Sequence, residues 1–441
     1  MVGSGIGSWQ LDHRITAKNA KSNNGVLRRI LSALGPGLIT GASDDDPSGI
    51  GTYSQAGAQF GFSIGWTMLL TFPLMAAIQE ISARVGRTTG HGIAGNLCRH
   101  YPASLLYAIV SLVFVANAIN IGADLSAMGD AIHLLIGCPG LLYVVLLSSL
   151  CTVLIVFMSY ERYALILRWL TLSLFAYVGA LFAVQINWGE ALRGLIVPKI
   201  VWSKDFFTTL LAIFGTTISP YLFFWQASQE AEEQRIDPDA QPLVETPGEA
   251  RVEFQRIRAD TLIGMGFSNL IAIAIIFTTA ATLHQSGTTD IQSSTQAAEA
   301  LRPVAGNFAF VLFALGIVGT GLLAVPVLAG SAAYAIGEAF KWPVGLSRKP
   351  HRATAFYLTL AATTGFGVAV TLSRIDPIKA LYWSAVINGI VAVPIMIVLM
   401  LMTAKSEMMG KLVVKGWLRR LGWLSTAIMA ACTCGMILAS L

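Results

Sequence analysis

The sequence predicts an all-α polytopic membrane protein. Of its 441 residues, 55% are hydrophobic and only 12% are charged, against about 25% charged in a typical soluble domain. The mean hydropathy is +0.66. The apolar residues are not gathered into cores. They lie in runs spread over nearly the whole chain, each long enough to cross the hydrocarbon, which takes ~20 helical residues. The basic residues sit in the short loops between runs. These observations exclude a water-soluble enzyme and a disordered chain. The net charge of +5 therefore reads as a topology signal, not as the mark of a nucleic-acid partner.

Eleven spans are predicted, at 33–58, 62–84, 103–127, 136–158, 162–186, 206–229, 258–284, 307–337, 353–373, 378–403 and 420–440. The first 30 residues are polar, end in Arg28-Arg29 and carry no cleavable signal, so the N-terminus is expected in the cytoplasm. Only Arg193, Lys199, Lys204, Arg302, Arg374 and Lys379 then fall outside, with the other 23 of the 29 basic residues inside, as the positive-inside rule requires. The C-terminus is expected outside the cell membrane. Gly321 and Pro326 in the long eighth span invite a kink, and Gln296–Ala300 a short outer helix. Gly57 and Gly61 are expected at close helix contacts. The five cysteines show no metal or disulfide spacing and read as packing thiols.

Two spans are interrupted. In the first, Ser43-Asp44-Asp45-Asp46-Pro47-Ser48-Gly49 breaks an apolar run. A charge near the bilayer centre costs at least ~2.5–3.5 kcal/mol, and proline disfavours helix both at its own position and at the residue before it. In the sixth, Gly215-Thr216-Thr217-Ile218-Ser219-Pro220-Tyr221 does the same. Broken backbone at membrane depth is tolerated where it lines a cavity. Matched breaks in spans one and six point to two inverted five-helix repeats with a transport site between them. Carboxylates, hydroxyls and freed carbonyls are hard oxygen ligands, suited to Mg²⁺, Ca²⁺ or Mn²⁺.

At this point the sequence resembles the Nramp (SLC11-type) divalent-metal transporters, over spans one to ten. The resemblance rests on Gly35-Pro36-Gly37 leading into Asp46-Pro47-Ser48-Gly49, on Ser82-Ala83-Arg84-Val85-Gly86-Arg87-Thr88-Thr89-Gly90, and on Ser219-Pro220-Tyr221, which stands where the family has Met-Pro-His. It implies a LeuT-like fold: a cytoplasmic segment 1–32, a first repeat 33–186, a second repeat 187–403 holding an acidic cytoplasmic loop 229–256, and an eleventh span within 404–441. It also implies a divalent-metal substrate, no cofactor, the lipid bilayer as surroundings, and a site formed by Asp46 and Gly49, the Ser43 and Thr216 carbonyls, and Ser219. Asp45 and Asn388 are added as candidate ligands. Asp44, Asp124, Thr217, Tyr221, Glu230 and Glu233 are expected beside the ion or along its path, and the protein is expected to be a monomer.

The departures from the family pattern shape the functional expectation. Gly49 replaces an asparagine ligand and Ser219 a methionine ligand, so a soft thioether and one oxygen are missing while Asp44 and Asp45 are added. Such a site suits Mg²⁺, which dehydrates reluctantly, and resembles the Nramp-related magnesium transporters, which move Mg²⁺ and Mn²⁺. Ala127 stands where the family has the glutamate of its proton route, and Tyr221 where it has a histidine. The expectation is transport of Mg²⁺ and Mn²⁺ with little or no proton coupling. The alternatives are a proton-coupled Mn²⁺/Fe²⁺ symporter and, from another class, an amino-acid carrier on the same fold. Glu230, Glu232 and Glu233 read either as a solvated helix end or as an acidic vestibule. Asn117 and Asn120 read as helix bridges.

Overall fold

The structure, a computed structural model, describes residues 40–41, 43–157, 174–237, 239–372 and 375–440. The expected cytoplasmic segment 1–32, the Gly35-Pro36-Gly37 stretch and the first half of the fifth span lie outside the described residues. Every described element is helical, and nine helices among the described residues are long and apolar enough to cross a membrane.

The first span breaks where the sequence places the break. Residues 40, 41, 43 and 44 are helical, Asp45 is a bend, and Asp46 is extended (φ −68°, ψ 169°). Helix α1 (Pro47–Phe60) then starts, with Pro47 in its first turn and Asp46 as its N-cap. Proline is favoured there because that N–H has no helical partner to lose. Helices α2 (Trp66–Thr89), α3 (Ile93–His100), α4 (Ala103–Ile136), α5 (Gly140–Phe157) and α6 (Phe175–Ala183) follow. At 34 residues, α4 is about 51 Å long and overruns the hydrocarbon at one end or both.

A short amphipathic helix α7 (Trp188–Ile196) precedes the second half. It buries Ala191 and exposes Trp188, Leu192 and Ile196. The sixth span is again two helices, α8 (Lys204–Thr217) and α9 (Pro220–Ile236). Between them Ile218 (φ −118°, ψ 59°) and Ser219 (φ −78°, ψ 130°) leave the helical region. Helices α10 (Ala250–Thr279), α11 (Ser294–Glu299), α12 (Ala309–Ala339), α13 (Thr354–Thr371), α14 (Pro377–Met402) and α15 (Gly416–Leu438) complete the chain.

The two halves interleave. Helix α4 packs against α12, α13 and α14, while α1 packs against α10 and α14, and α9 against α2. Some contacts are backbone on backbone: a Cβ at Gly57 would lie 2.4 Å from the Ile276 carbonyl oxygen and 2.0 Å from Thr279 Oγ1, so only glycine fits. Helix α12 is continuous through Pro326. One expectation is corrected: the loop expected at 229–256 is shorter, because α9 continues to Ile236 and α10 begins at Ala250.

Candidate metal site at two helix breaks

Asp46 is 1% exposed and its carboxylate holds four donors. Its Oδ1 accepts from the Gly49 backbone N–H (2.8 Å) and the Ser48 hydroxyl (2.6 Å). Its Oδ2 accepts from Asn120 Nδ2 of α4 (3.1 Å) and from the Tyr221 hydroxyl of α9 (3.3 Å). The N-cap role follows from Pro47, which fixes the first turn and leaves the next amides pointing back at residue 46. Asn388 Nδ2 of α14 lies 3.5 Å from Asn120 Oδ1, extending the chain of polar groups to a third helix.

The two carbonyls expected to serve an ion are both covered by hydroxyls. Tyr221 lies 3.0 Å from the Ser43 oxygen, and Ser219 lies 2.7 Å from the Thr216 oxygen and 2.9 Å from that of Gly215. Thr217 turns its hydroxyl onto the Ile213 carbonyl of its own helix (2.9 Å). Gly49 serves as donor to Asp46, and a Cβ built on it would lie 3.3 Å from both Thr216 Oγ1 and Tyr53.

Asp44 and Asp45 face elsewhere. Asp44 Oδ2 and Asp45 Oδ1 lie 2.7 Å and 2.9 Å from the one hydroxyl of Ser268 on α10, which carries a single proton to donate. Asp44 Oδ1 is buried without a hydrogen-bond partner, and Asp124 is fully buried on α4 near the Ser48 backbone N–H. Asp124 interacts electrostatically with Asp46. Among the described residues no ion pair involves Asp44, Asp45, Asp46 or Asp124. No three His, Cys, Asp or Glu side chains there form a ready-made ion cage. The structure therefore brings Asp46, Ser43, Thr216, Ser219, Tyr221 and, through Asn120, Asn388 together, and sets Asp45 apart with Asp44 against α10.

Two of the three α9 glutamates depart from the solvated-end reading. Glu230 is fully buried and paired with Arg256 at 2.6 Å. Glu232, also buried, accepts from the Tyr334 hydroxyl and from the backbone N–H groups of Leu346 (3.1 Å) and Ser347 (2.6 Å). Only Glu233 is exposed. A solvated helix end is thus corrected for two of the three, because partners from other helices supply the donors that water would have given.

Asn120 bridges helices as expected, but its bridge ends on the Asp46 carboxylate. Its one sequence signal is its spacing, four residues before Asp124 on α4. Asn117 bonds Leu328 and Ser331 of α12 instead. Ser268 and Gln226, which accepts from the Thr40 hydroxyl across the first and sixth spans, gave no sequence signal.

Two discontinuous helices crossing at a buried carboxylate, inside interleaved helical repeats, define a membrane transporter of the LeuT-like fold and not an enzyme. The family model described as natural resistance-associated macrophage protein-like, Nramp, matches residues 37–439, and the chain belongs to that family. It is 25% identical over 429 residues to the divalent metal cation transporter MntH of Klebsiella pneumoniae (strain 342), covering 95% of this chain and 97% of that one. It is also 25% identical to MntH of Pectobacterium carotovorum, covering 91% and 92%. The manganese transporter of Eremococcus coleocola superposes with a TM-score of 0.70 at 18% identity, covering 93% of this chain and 87% of that one. MhsT, solved with L-phenylalanine, superposes at 0.62 with 14% identity, covering 92% and 98%.

Proposed function

We propose that this chain carries divalent metal cations across a cell membrane, Mg²⁺ foremost and Mn²⁺ with it, as an alternating-access carrier with little or no proton coupling. The N-terminus would lie in the cytoplasm, the C-terminus outside, and the working unit would be the monomer. One observation carries this reading: three buried carboxylates, Asp44, Asp45 and Asp46, stand at the first helix break, with buried Asp124 of α4 interacting with Asp46, and none has a basic partner among the described residues. Buried charge without compensation is strongly unfavourable, so the arrangement calls for a cation. The names of the curated relatives, divalent metal cation transporters, support a metal as that cation.

The donors present are carboxylate, amide, hydroxyl and carbonyl oxygens, with no thioether at Ser219. Hard ligands and short side chains suit an ion that keeps part of its water. On ion entry the Tyr221 and Ser219 hydroxyls would turn from the Ser43 and Thr216 carbonyls, freeing those two carbonyl oxygens beside Asp46. Asp44 and Asp45 would supply further negative charge from the α10 side. An amino-acid substrate is disfavoured, because its carboxylate would meet these aspartates.

One observation favours a second reading, the proton-coupled Mn²⁺/Fe²⁺ symporter: Asp124 is fully buried beside Asp46 with no basic partner among the described residues and could hold a proton. The deciding experiment is uptake of Mg²⁺ and Mn²⁺ into proteoliposomes with a pH dye inside. Mg²⁺ entry without acidification is expected. Entry of Mn²⁺ alone, with acidification, would establish the symporter instead.

A further inference from the structure

A cavity of about 450 Å³ with a charged rim lies at the far end of α9 from Ser219, about 22 Å along the helix from Pro220. Its charged lining is His91, Arg99, Arg235, Lys341, Arg348 and Glu338. It is lined by α3 and the turn before it, the last turn of α9, the end of α12, and the loop 340–353 that follows. Glu232 ties that loop to α9 through the Leu346 and Ser347 amides.

The charge in this cavity does not balance. Four permanent cations face one carboxylate. That carboxylate, Glu338, is already committed: its two oxygens accept from the Gly92 and Gly95 backbone N–H groups, each at 2.8 Å, at the start of α3. The Arg235 and Arg348 guanidinium groups both reach the Val344 carbonyl, at 3.5 Å and 3.1 Å, with no carboxylate between them. None of Arg99, Arg235, Lys341 or Arg348 is ion-paired among the described residues. The half-buried His91 registers the resulting field. Its imidazole is pulled down to about 4 by burial and then by Arg99, Arg235 and His100, although Glu338 lines the same cavity.

Two guanidinium groups gathered on one neutral carbonyl repel each other unless an anion joins them. Guanidinium forks match the oxygens of a phosphate group. We propose that this cavity binds an anionic phosphate group, either of a free polyphosphate or of an anionic lipid headgroup. Bound there, it links the inner end of α9 to the α12–α13 loop and to α3. It thereby restrains the inner half of the broken sixth span. The inference is independent of which cation is carried, and its test does not use transport.

The experiment is calorimetric titration of the full chain, in metal-free phosphatidylcholine nanodiscs at constant ionic strength, with inorganic pyrophosphate. Saturable binding is expected, roughly tenfold weaker in Arg348→Gln, as for one lost charge-assisted hydrogen bond. Lys341→Gln, an exposed substitution that spares the Val344 contacts, should weaken it by a smaller factor and covers the case in which Arg348→Gln does not fold. The His91 imidazole, followed by NMR, should titrate above about 4 once pyrophosphate is bound. Loss of pyrophosphate binding in phosphatidylglycerol nanodiscs would identify the lipid headgroup as the occupant, and unchanged binding there a soluble anion. Absence of saturable binding in phosphatidylcholine, or equal affinity in the variants, overturns the proposal.

Discussion

The Tyr221 hydroxyl lies 3.3 Å from Asp46 Oδ2 while lying 3.0 Å from the Ser43 carbonyl, so one proton is shared between the two groups best placed to hold an ion. A hydroxyl has a single hydrogen to donate. On the proposed reading Tyr221 would compete with the cation. In Tyr221→Phe the metal-free protein should lose about 1 kcal/mol of stability, the worth of one buried hydrogen bond, and ion affinity should rise up to about fivefold, the same energy read as a ratio. Isothermal titration with Mn²⁺ decides it. A weakened affinity would mean that the phenol oxygen is itself a ligand.

Asp46 has two duties that substitution can separate. It caps α1 through the Gly49 N–H, and it is proposed to hold the ion. Asparagine keeps a capping oxygen and alanine does not. Uptake should vanish in both Asp46→Asn and Asp46→Ala, while thermal stability falls by about 1 kcal/mol only in the alanine variant. Persisting uptake in either would move the site elsewhere.

Restoring the family's ligands should restore only part of the family's selectivity. Gly49→Asn must displace Thr216 or Tyr53, since its Cβ would sit 3.3 Å from each. Gly49→Asn with Ser219→Met should raise the Mn²⁺:Mg²⁺ uptake ratio by a few-fold, read by competition in proteoliposomes. An unchanged ratio would separate selectivity from these two ligands.

The Glu230–Arg256 pair is a structural fastening of α9 to α10. Glu230 is fully buried and Arg256 lies 2.6 Å away. Removing one partner leaves a buried charge, a loss of about 3–5 kcal/mol. Arg256→Ala should therefore melt several degrees lower, and adding Glu230→Gln should recover most of the loss. Equal melting in all three forms would show that the pair is solvated.

Gly215 in α8 meets α14 with no side chain between. A Cβ there would fall 2.0 Å from the Ala385 carbonyl oxygen and 2.5 Å from the Gly389 amide. Gly215→Ala should push apart the helices that carry Thr216 and Asn388, and abolish uptake even where the protein remains monodisperse by size exclusion. Normal uptake would show that α14 shifts freely.

The sequence makes the two breaks legible because proline and clustered polar residues are local and costly at membrane depth, and Asp46, Ser219 and Pro220 stand where they were expected. The partners of Asp46 were less visible. Asn120 lies on a long helix that is apolar on most sides, so its rotation toward Asp46 is set by packing against α12, α13 and α14. Ser268 is a single hydroxyl in an apolar run, and nothing local says that it faces Asp44 and Asp45. The glutamates of α9 read as a wet helix end because a sequence shows their charge but not the Arg256 guanidinium and the loop amides that meet it. Local rules found the discontinuities, while contacts distant in sequence decided what each carboxylate touches.

The amphipathic helix α7 joins the surroundings to the site. Its Trp188, Leu192 and Ile196 are exposed, as suits a segment floating in the headgroup layer. Its Gly194 sits against the Phe62 carbonyl so closely that a Cβ there would fall 2.1 Å away. Phe62 belongs to the turn that directly follows α1, the helix whose first turn Asp46 caps. A bilayer that thickens, thins or changes its lateral pressure therefore pushes on a float whose tether ends at the carboxylate proposed to hold the ion, so turnover should vary with acyl-chain length even when every ion concentration is held fixed.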